Sequence, residues 1–269
     1  MIRGAVLGSP ISHSLSPVLH KAIFNILGIE GAYSAIDVPS GSLAEFIASQ
    51  GSEFDYLSLT MPLKEEVLGL EVATDELTQR IKSGNTLVMR DGRWSLTSTD
   101  GSGFISALAH ANLHSFSSVL ILGAGGTARA VAGALDAKTQ NLHVLGRSSV
   151  REEALQKAIK TSHFEYYRWG IDIDFAQYDL VVNTTPSGAA DLLTSEVHTG
   201  VQAALFDVIY KPWPTQLAQR WVDCGGVVVN GLELLLYQGI DQIEIVLEQK
   251  LERESIAQLV RPILAKAAR

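Results

Sequence analysis

An apolar run, Ser118-Val-Leu-Ile-Leu122, leads into Gly123-Ala124-Gly125-Gly126-Thr127-Ala128 and then into a helical stretch. In a Gly-x-Gly-x-x-Ala loop the first glycine permits a tight turn and the second admits a pyrophosphate close to backbone. The small third residue lets helix and strand pack closely. The helix start adds free N–H groups and a partial positive charge. Gly123, Ala124, Gly125, Gly126, Thr127 and Ala128 therefore read as a dinucleotide cradle, against the plainer alternative of a structural glycine turn. The next strand ends at Leu145-Gly146-Arg147-Ser148-Ser149. An NAD site usually carries an Asp or Glu here to accept from the ribose 2′-hydroxyl. None occurs between Lys138 and Arg151. A guanidinium such as Arg147 pairs with a 2′-phosphate, and the hydroxyls of Ser148 and Ser149 can donate to it. The expected cofactor is NADP rather than NAD.

Elements that position such a loop alternate along the chain. Strand-like runs fall at Arg3–Leu7, Tyr33–Val38, Tyr56–Thr60, Val119–Leu122, His143–Leu145, Leu180–Asn183, Ala204–Val208 and Val227–Val229. Helical patterns fall between them at Pro17–Leu27, Leu43–Gln50, Gly101–Asn112, Gly126–Asp136 and Thr215–Asp223. This alternation predicts an α/β fold with parallel sheets. One interruption, Thr86–Thr97, carries two β-like runs around Asp91-Gly92 and reads as a hairpin. Only the second half holds a phosphate loop. The expectation is two domains: an N-terminal α/β domain of residues 1–100 joined by residues 232–269, and a Rossmann-like doubly wound domain of residues 101–231. The helical C-terminal segment is expected to pack back on the first.

The 269 residues carry 29 acidic and 21 basic side chains, a net charge of −8, which argues against a nucleic-acid binder. A single cysteine, Cys224, excludes an internal disulfide framework and a Cys-rich zinc site. The apolar run after Met1 is too short for a secretory leader, and no stretch of 18 apolar residues suits a membrane span. A soluble cytoplasmic protein acting on small molecules is expected, with no nucleic-acid or membrane partner, no metal, and a monomeric or homodimeric state.

Further segments follow one another in a set order. They are Gly8-Ser-Pro-Ile-Ser-His13-Ser14-Leu-Ser16-Pro17, Leu59-Thr60-Met-Pro62-Leu-Lys64, Asn85-Thr86, and Ser98-Thr99-Asp100-Gly101. After the glycine loop come Asn183-Thr184-Thr-Pro-Ser-Gly188, Asp207-Val208-Ile-Tyr210-x-Pro212, and Gly231…Gln238. As a set, they resemble the shikimate dehydrogenase family over essentially the whole chain. The resemblance implies a two-domain enzyme that reduces 3-dehydroshikimate to shikimate with NADPH, on the route to chorismate and aromatic amino acids. It implies Lys64 and Asp100 as the catalytic pair. It places Ser14 and Ser16 at the substrate carboxylate with Tyr210 nearby, and Thr60, Lys64, Asn85, Asp100 and Gln238 around the ring hydroxyls. It adds Thr184, Val208 and Gly231 to the cofactor contacts already read at Gly123–Ala128, Arg147 and Ser148. The site is expected in a cleft that closes by hinge motion.

The residue chemistry agrees. A small polyhydroxylated anion calls for hydroxyl donors at its carboxylate and a few convergent polar groups. Carbonyl reduction needs a hydride at carbon and a proton at oxygen, and a lysine ammonium held at the forming alkoxide can supply that proton. A facing carboxylate favours the charged ammonium whereas a dry pocket disfavours it. Several positions depart from the family's usual residues. Ser58 and Ser98 stand for Asn, Ser83-Gly84 for Ala-Val, Gly146 for Asn, and Glu233-Leu234 for Gly-Met. Ser58 and Ser98 shorten the reach of a polar group, and Glu233 puts a charge near the nicotinamide end. Plainer readings stand beside these. Lys64-Glu65-Glu66 suits a solvated helix start, Asp100 an N-cap, and His13 and His20 packing or hydrogen bonding. Trp213 suits a turn between prolines, and Cys224 has no local base. The alternative functions are a quinate/shikimate dehydrogenase and a non-catalytic metabolite-binding paralogue.

Overall fold

A computed structural model describes residues 1–269. The chain forms two compact units, Met1–Gly103 with Leu235–Arg269, and Phe104–Leu234. The first contains β1 (Ile2–Gly8), α1 (Ser16–Leu27), β2 (Gly31–Asp37), α2 (Leu43–Gln50), β3 (Tyr56–Leu59), α3 (Leu63–Glu66), β4 (Ala73–Thr74), α4 (Glu76–Ile81), β5 (Thr86–Arg90) and β6 (Arg93–Thr97). Its sheet runs β2-β1-β3-β5-β6-β4, parallel across β2, β1 and β3, with an antiparallel β5–β6 hairpin turning at Asp91-Gly92. Leu7, Leu57, Leu59, Leu87 and Leu96 meet Leu43, Phe46 and Leu63 in one apolar cluster. Glu66 fastens α2 to this face by accepting from the amides of Gly41 at 2.8 Å and Leu43 at 3.0 Å.

The opposite face of β1 carries Gly4, where a β-carbon would collide with the rings of Tyr33 and Tyr56. His20 of α1 stacks on Tyr33 at 4.0 Å between centroids, and its Nδ1 lies 2.7 Å from the Tyr56 hydroxyl. This is the packing role read for His20, whereas His13 is exposed. Burial lowers the His20 pKa to about 3. The unfolded imidazole takes up a proton below about pH 6.5 while the folded one does not, so unfolding consumes a proton in that window. Stability is then full above pH 6.5 and falls as pH drops toward 3, by roughly 2 kcal/mol between pH 7 and 5. Urea unfolding at stepped pH should show this slope in the wild type and a shallower one in His20→Gln. Equal slopes would mean that His20 is not its source.

The second unit opens in α5 (Asp100–His110) and continues through β7 (Ser118–Leu122), α6 (Gly126–Leu135), β8 (Asn141–Gly146), α7 (Glu152–Ala158), β9 (His163–Arg168), β10 (Leu180–Asn183), β11 (Ala204–Asp207), α8 (Gln216–Asp223) and β12 (Val228–Asn230). All six strands are parallel in the order β12-β11-β10-β7-β8-β9, a doubly wound sheet whose order reverses between β7 and β10. One face packs Leu120, Leu122, Val181 and Leu205 against Leu217 and the fully buried Trp221. The indole N–H of Trp221 donates to the Ala203 carbonyl at 2.8 Å, so the ring is buried without an orphaned donor.

The chain returns through α9 (Gly231–Leu247) and ends in α10 (Arg253–Ala268). Their turn is pinned by Glu244, which accepts from the Leu251 amide and Arg253 Nε at 3.0 Å each and from Lys250 at 2.9 Å. Burial alone would raise its pKa, but these donors outweigh it and hold the carboxyl at about 2. Arg253 also pairs with the buried Asp241 at 2.7 Å. No helix is long and apolar enough to cross a membrane.

Candidate active site

Lys64 sits on the one-turn helix α3, just past the end of β3. Thr60 and Met61 are stitched to the end of β1, through Thr60 N–H to Leu7 O at 2.9 Å and Ser9 N–H to Met61 O at 3.0 Å. Leu63 is fully buried and anchors the turn, and the Lys64 carbonyl accepts from the Gly84 amide at 2.9 Å. A β-carbon at Gly84 would press on the Leu96 side chain, which would have to shift to admit it. Glycine in place of the family's Val thus goes with Leu96 lying close against this turn. The Lys64 ammonium donates to Asp100 Oδ2 at 2.5 Å, with the two side chains 18% and 5% exposed. Asp100 lies in the first turn of α5, where its charge complements the helix dipole. Its carboxylate is committed to side chains: the second oxygen accepts from Asn85 Nδ2 at 2.8 Å. A role as N-cap alone does not account for these bonds.

Asn85 is the hub. A backbone N–H can only donate, so the 2.8 Å bond from the Thr99 amide fixes which end of the Asn85 carboxamide is oxygen. The nitrogen then faces Asp100, Thr99 Oγ1 at 3.0 Å and Gln238 Oε1 at 3.3 Å. Gln238 gets there because α5 and α9 approach closely at Gly103, where a β-carbon would strike the Gln238 backbone. Gln242, one turn further along α9, donates to Thr86 Oγ1 at 2.9 Å, and Thr86 donates to Asn85 Oδ1 at 2.8 Å. Lys64, Asn85, Asp100 and Gln238 are thus joined in one network. Thr99, Gly103 and Gln242 belong to it too, and the sequence reading missed them. The signal for Thr99 was its place directly before Asp100. Nothing in the sequence pointed to Gly103 or Gln242.

Ser14, Ser16 and Thr60 follow the C-terminal ends of the adjacent parallel strands β1 and β3, where ligands gather in such sheets. Ser14 Oγ accepts from the Ser16 amide at 3.3 Å, which tightens the start of α1. Thr60 is half-buried, with its methyl against the bare α-carbon of Gly8. Ser58, which stands where the family usually carries Asn, is bonded on both sides. Its hydroxyl donates to Gln242 Oε1 at 2.7 Å and accepts from Tyr33 at 2.5 Å, so the shorter side chain is fully engaged inside the unit. Ser98 Oγ is buried and has no protein partner. Tyr210 belongs to the other unit, half-buried in the loop after β11.

The second unit presents the nucleotide-type loop. Gly123 has φ of +103°, and a β-carbon there would strike Thr184 Oγ1. Thr184 itself is tied to the Leu122 carbonyl at 2.8 Å. Gly125 is the N-cap of α6 and offers no side-chain acceptor, which leaves the first amides of the helix to an outside anion. Buried Arg129 reaches back to the Ala124 carbonyl at 3.5 Å. Thr184 and Val208 follow the ends of β10 and β11, and Gly231 packs directly on the Val208 carbonyl. Arg147 and Ser148 are exposed after β8, and Arg151 extends over Gly125. Such a bare cradle, flanked by guanidinium groups, fits a dinucleotide bearing an extra phosphate. Glu233 is half-buried in the first turn of α9, where a carboxylate complements the helix dipole.

Residues 6–87 match the model of the shikimate dehydrogenase substrate binding domain. A shikimate dehydrogenase (NADP(+)) of Staphylococcus aureus strain JH9 is 32% identical over 253 residues, covering 90% of this chain and 91% of its own. The chain belongs to the shikimate dehydrogenase family. The crystal structure of the Mycobacterium tuberculosis shikimate dehydrogenase superposes with a TM-score of 0.86 at 29% identity, over 97% of this chain and all of that one. The Thermus thermophilus shikimate 5-dehydrogenase, solved with NADP(H) and shikimate, gives 0.81 at 29% identity over 98% and 100%. Family membership also carries the fold class: two α/β domains, one of them Rossmann-like.

Proposed function

We propose that this chain catalyses the reversible, NADPH-dependent reduction of 3-dehydroshikimate to shikimate, on the route to chorismate and aromatic amino acids. The observation that carries the reading is the Lys64–Asp100–Asn85–Gln238 network, its last three members buried, in a member of this family. In the reductive direction Lys64 Nζ gives a proton to the carbonyl oxygen as it becomes an alkoxide, and in the oxidative direction it takes that proton back. Asp100 holds the ammonium in place, and one bond to Asp100 leaves further N–H donors for the substrate. Asn85, Gln238 and Thr60 orient the ring hydroxyls, while Ser14, Ser16 and Tyr210 take the carboxylate. The nicotinamide supplies the hydride. Gly123–Ala128, Thr184, Val208 and Gly231 seat the dinucleotide, and Arg147 with Ser148 takes the 2′-phosphate. The reading places the enzyme in the cytoplasm as a monomer or homodimer, a setting that suits its single, buried Cys224.

The substrate half is tested by presenting 3-dehydroshikimate and 3-dehydroquinate to the purified protein with NADPH and following nicotinamide absorbance. Rapid turnover of the first and slow turnover of the second is expected. Preference for the second would favour a quinate enzyme of the same family. The cofactor half is tested with Arg147→Ala, which should raise KM for NADPH by about tenfold and leave that for NADH unchanged, as befits one charge-assisted contact. An equal change for both cofactors would remove Arg147 from this role.

A further inference from the structure

The loop after β8 departs from the family pattern at Gly146, and the structure shows what the glycine admits. A β-carbon at Gly146 would overlap the hydroxyl of Tyr166, which comes from β9, the edge strand of the sheet. That hydroxyl donates to the Ser148 carbonyl at 2.6 Å. The register pairs Val144 with Tyr166 and Gly146 with Arg168, so Tyr166 and Arg168 emerge on one face of β9 beside the end of β8. Arg151, whose guanidinium lies over Gly125, interacts electrostatically with Tyr166, as do Arg168 and Glu152. Burial and then Glu152 raise the Tyr166 pKa, against the two arginines, and keep the phenol a neutral donor at physiological pH. The side chain missing from position 146 is thus replaced, in space, by a tyrosine 20 residues away.

We infer that Tyr166 is a positioning residue for cofactor selectivity. By tying down the Ser148 carbonyl it holds the Gly146–Ser148 loop in the one shape that presents Arg147 and Ser148 to the 2′-phosphate of NADP. The inference rests on the assignment of that phosphate to Arg147 and Ser148. A bond that only braced the sheet edge would affect stability alone. A bond that shapes the phosphate subsite affects NADPH and spares NADH, which has no phosphate there.

The test is direct binding of NADPH and of NADH, followed by nicotinamide fluorescence, in the wild type, Tyr166→Phe and Arg147→Ala. Thermal melts confirm that each variant is folded. Tyr166→Phe keeps the ring and deletes one hydrogen bond. It should weaken NADPH binding by about 3- to 10-fold and leave NADH within experimental scatter. Arg147→Ala should show the same selectivity with a larger effect. If Arg147→Ala is selective and Tyr166→Phe changes neither cofactor, or both equally, the role of Tyr166 is refuted and the phosphate assignment stands. If Arg147→Ala itself spares NADPH, the assignment falls and takes the inference with it.

Discussion

Lys64→Ala is expected to lower kcat for shikimate oxidation by about 10²- to 10⁴-fold, the range for loss of a positioned general acid or base. NADP binding should stay at its wild-type value, because Gly123–Ala128, Arg147 and Ser148 belong to the other structural unit. The physical case rests on how firmly the ammonium is placed. Its backbone is held by Leu63 in the core and by the Gly84 amide, and its Nζ by Asp100. Alanine leaves a cavity with no proton to give. A small primary amine added to the assay should therefore restore part of the rate, which a purely structural lesion would not allow. A kcat within a few-fold of wild type would strip Lys64 of the proton-transfer role.

The second large effect is expected from Asp100→Asn. The two groups have the same shape, but the carboxylate accepts at both oxygens, from Lys64 on one side and Asn85 on the other. A carboxamide accepts at one end only. If its oxygen meets Lys64, its N–H₂ confronts the N–H₂ of Asn85, whose orientation the Thr99 amide has fixed. If it turns the other way, it confronts the ammonium. Either arrangement sets donor against donor in a nearly buried site, and leaving a buried partner unpaired costs about 1–3 kcal/mol, more when it is charged. Both kcat and KM for shikimate should suffer, with kcat/KM down by about 10²-fold or more. The NADPH dissociation constant should not move. Unchanged shikimate kinetics would reduce Asp100 to a helix-terminus charge.

Much of this arrangement was legible in the residues because local chemistry dictated it. The glycine loop could be read because each glycine answers a local need, and the structure shows Gly123 at positive φ and α6 starting at Gly126. The Asp91-Gly92 hairpin and most strands fell within one or two residues of their observed ends. What escaped depended on partners far away in the chain. The edge strand β9, His163–Arg168, escaped because Glu165 and two tyrosines break any clear apolar alternation, and pairing with β8 is what makes it a strand. The bonding of Ser58 was invisible because its partners, Tyr33 and Gln242, lie 25 and 184 residues away. Gly103 looked like any helical glycine until α9 was seen against it. Lys64 and Asp100 are 36 residues apart, and it was the resemblance to a family, not their spacing, that paired them.

In the proposed reaction this chain moves a hydride between NADP and shikimate, with Lys64 handling the proton. The most direct measurement mixes purified protein with shikimate and either NADP or NAD, and follows reduced nicotinamide by absorbance. Fast, shikimate-dependent reduction of NADP and poor reduction of NAD are expected. Binding of both ligands with reduction of neither cofactor would overturn the proposed reaction.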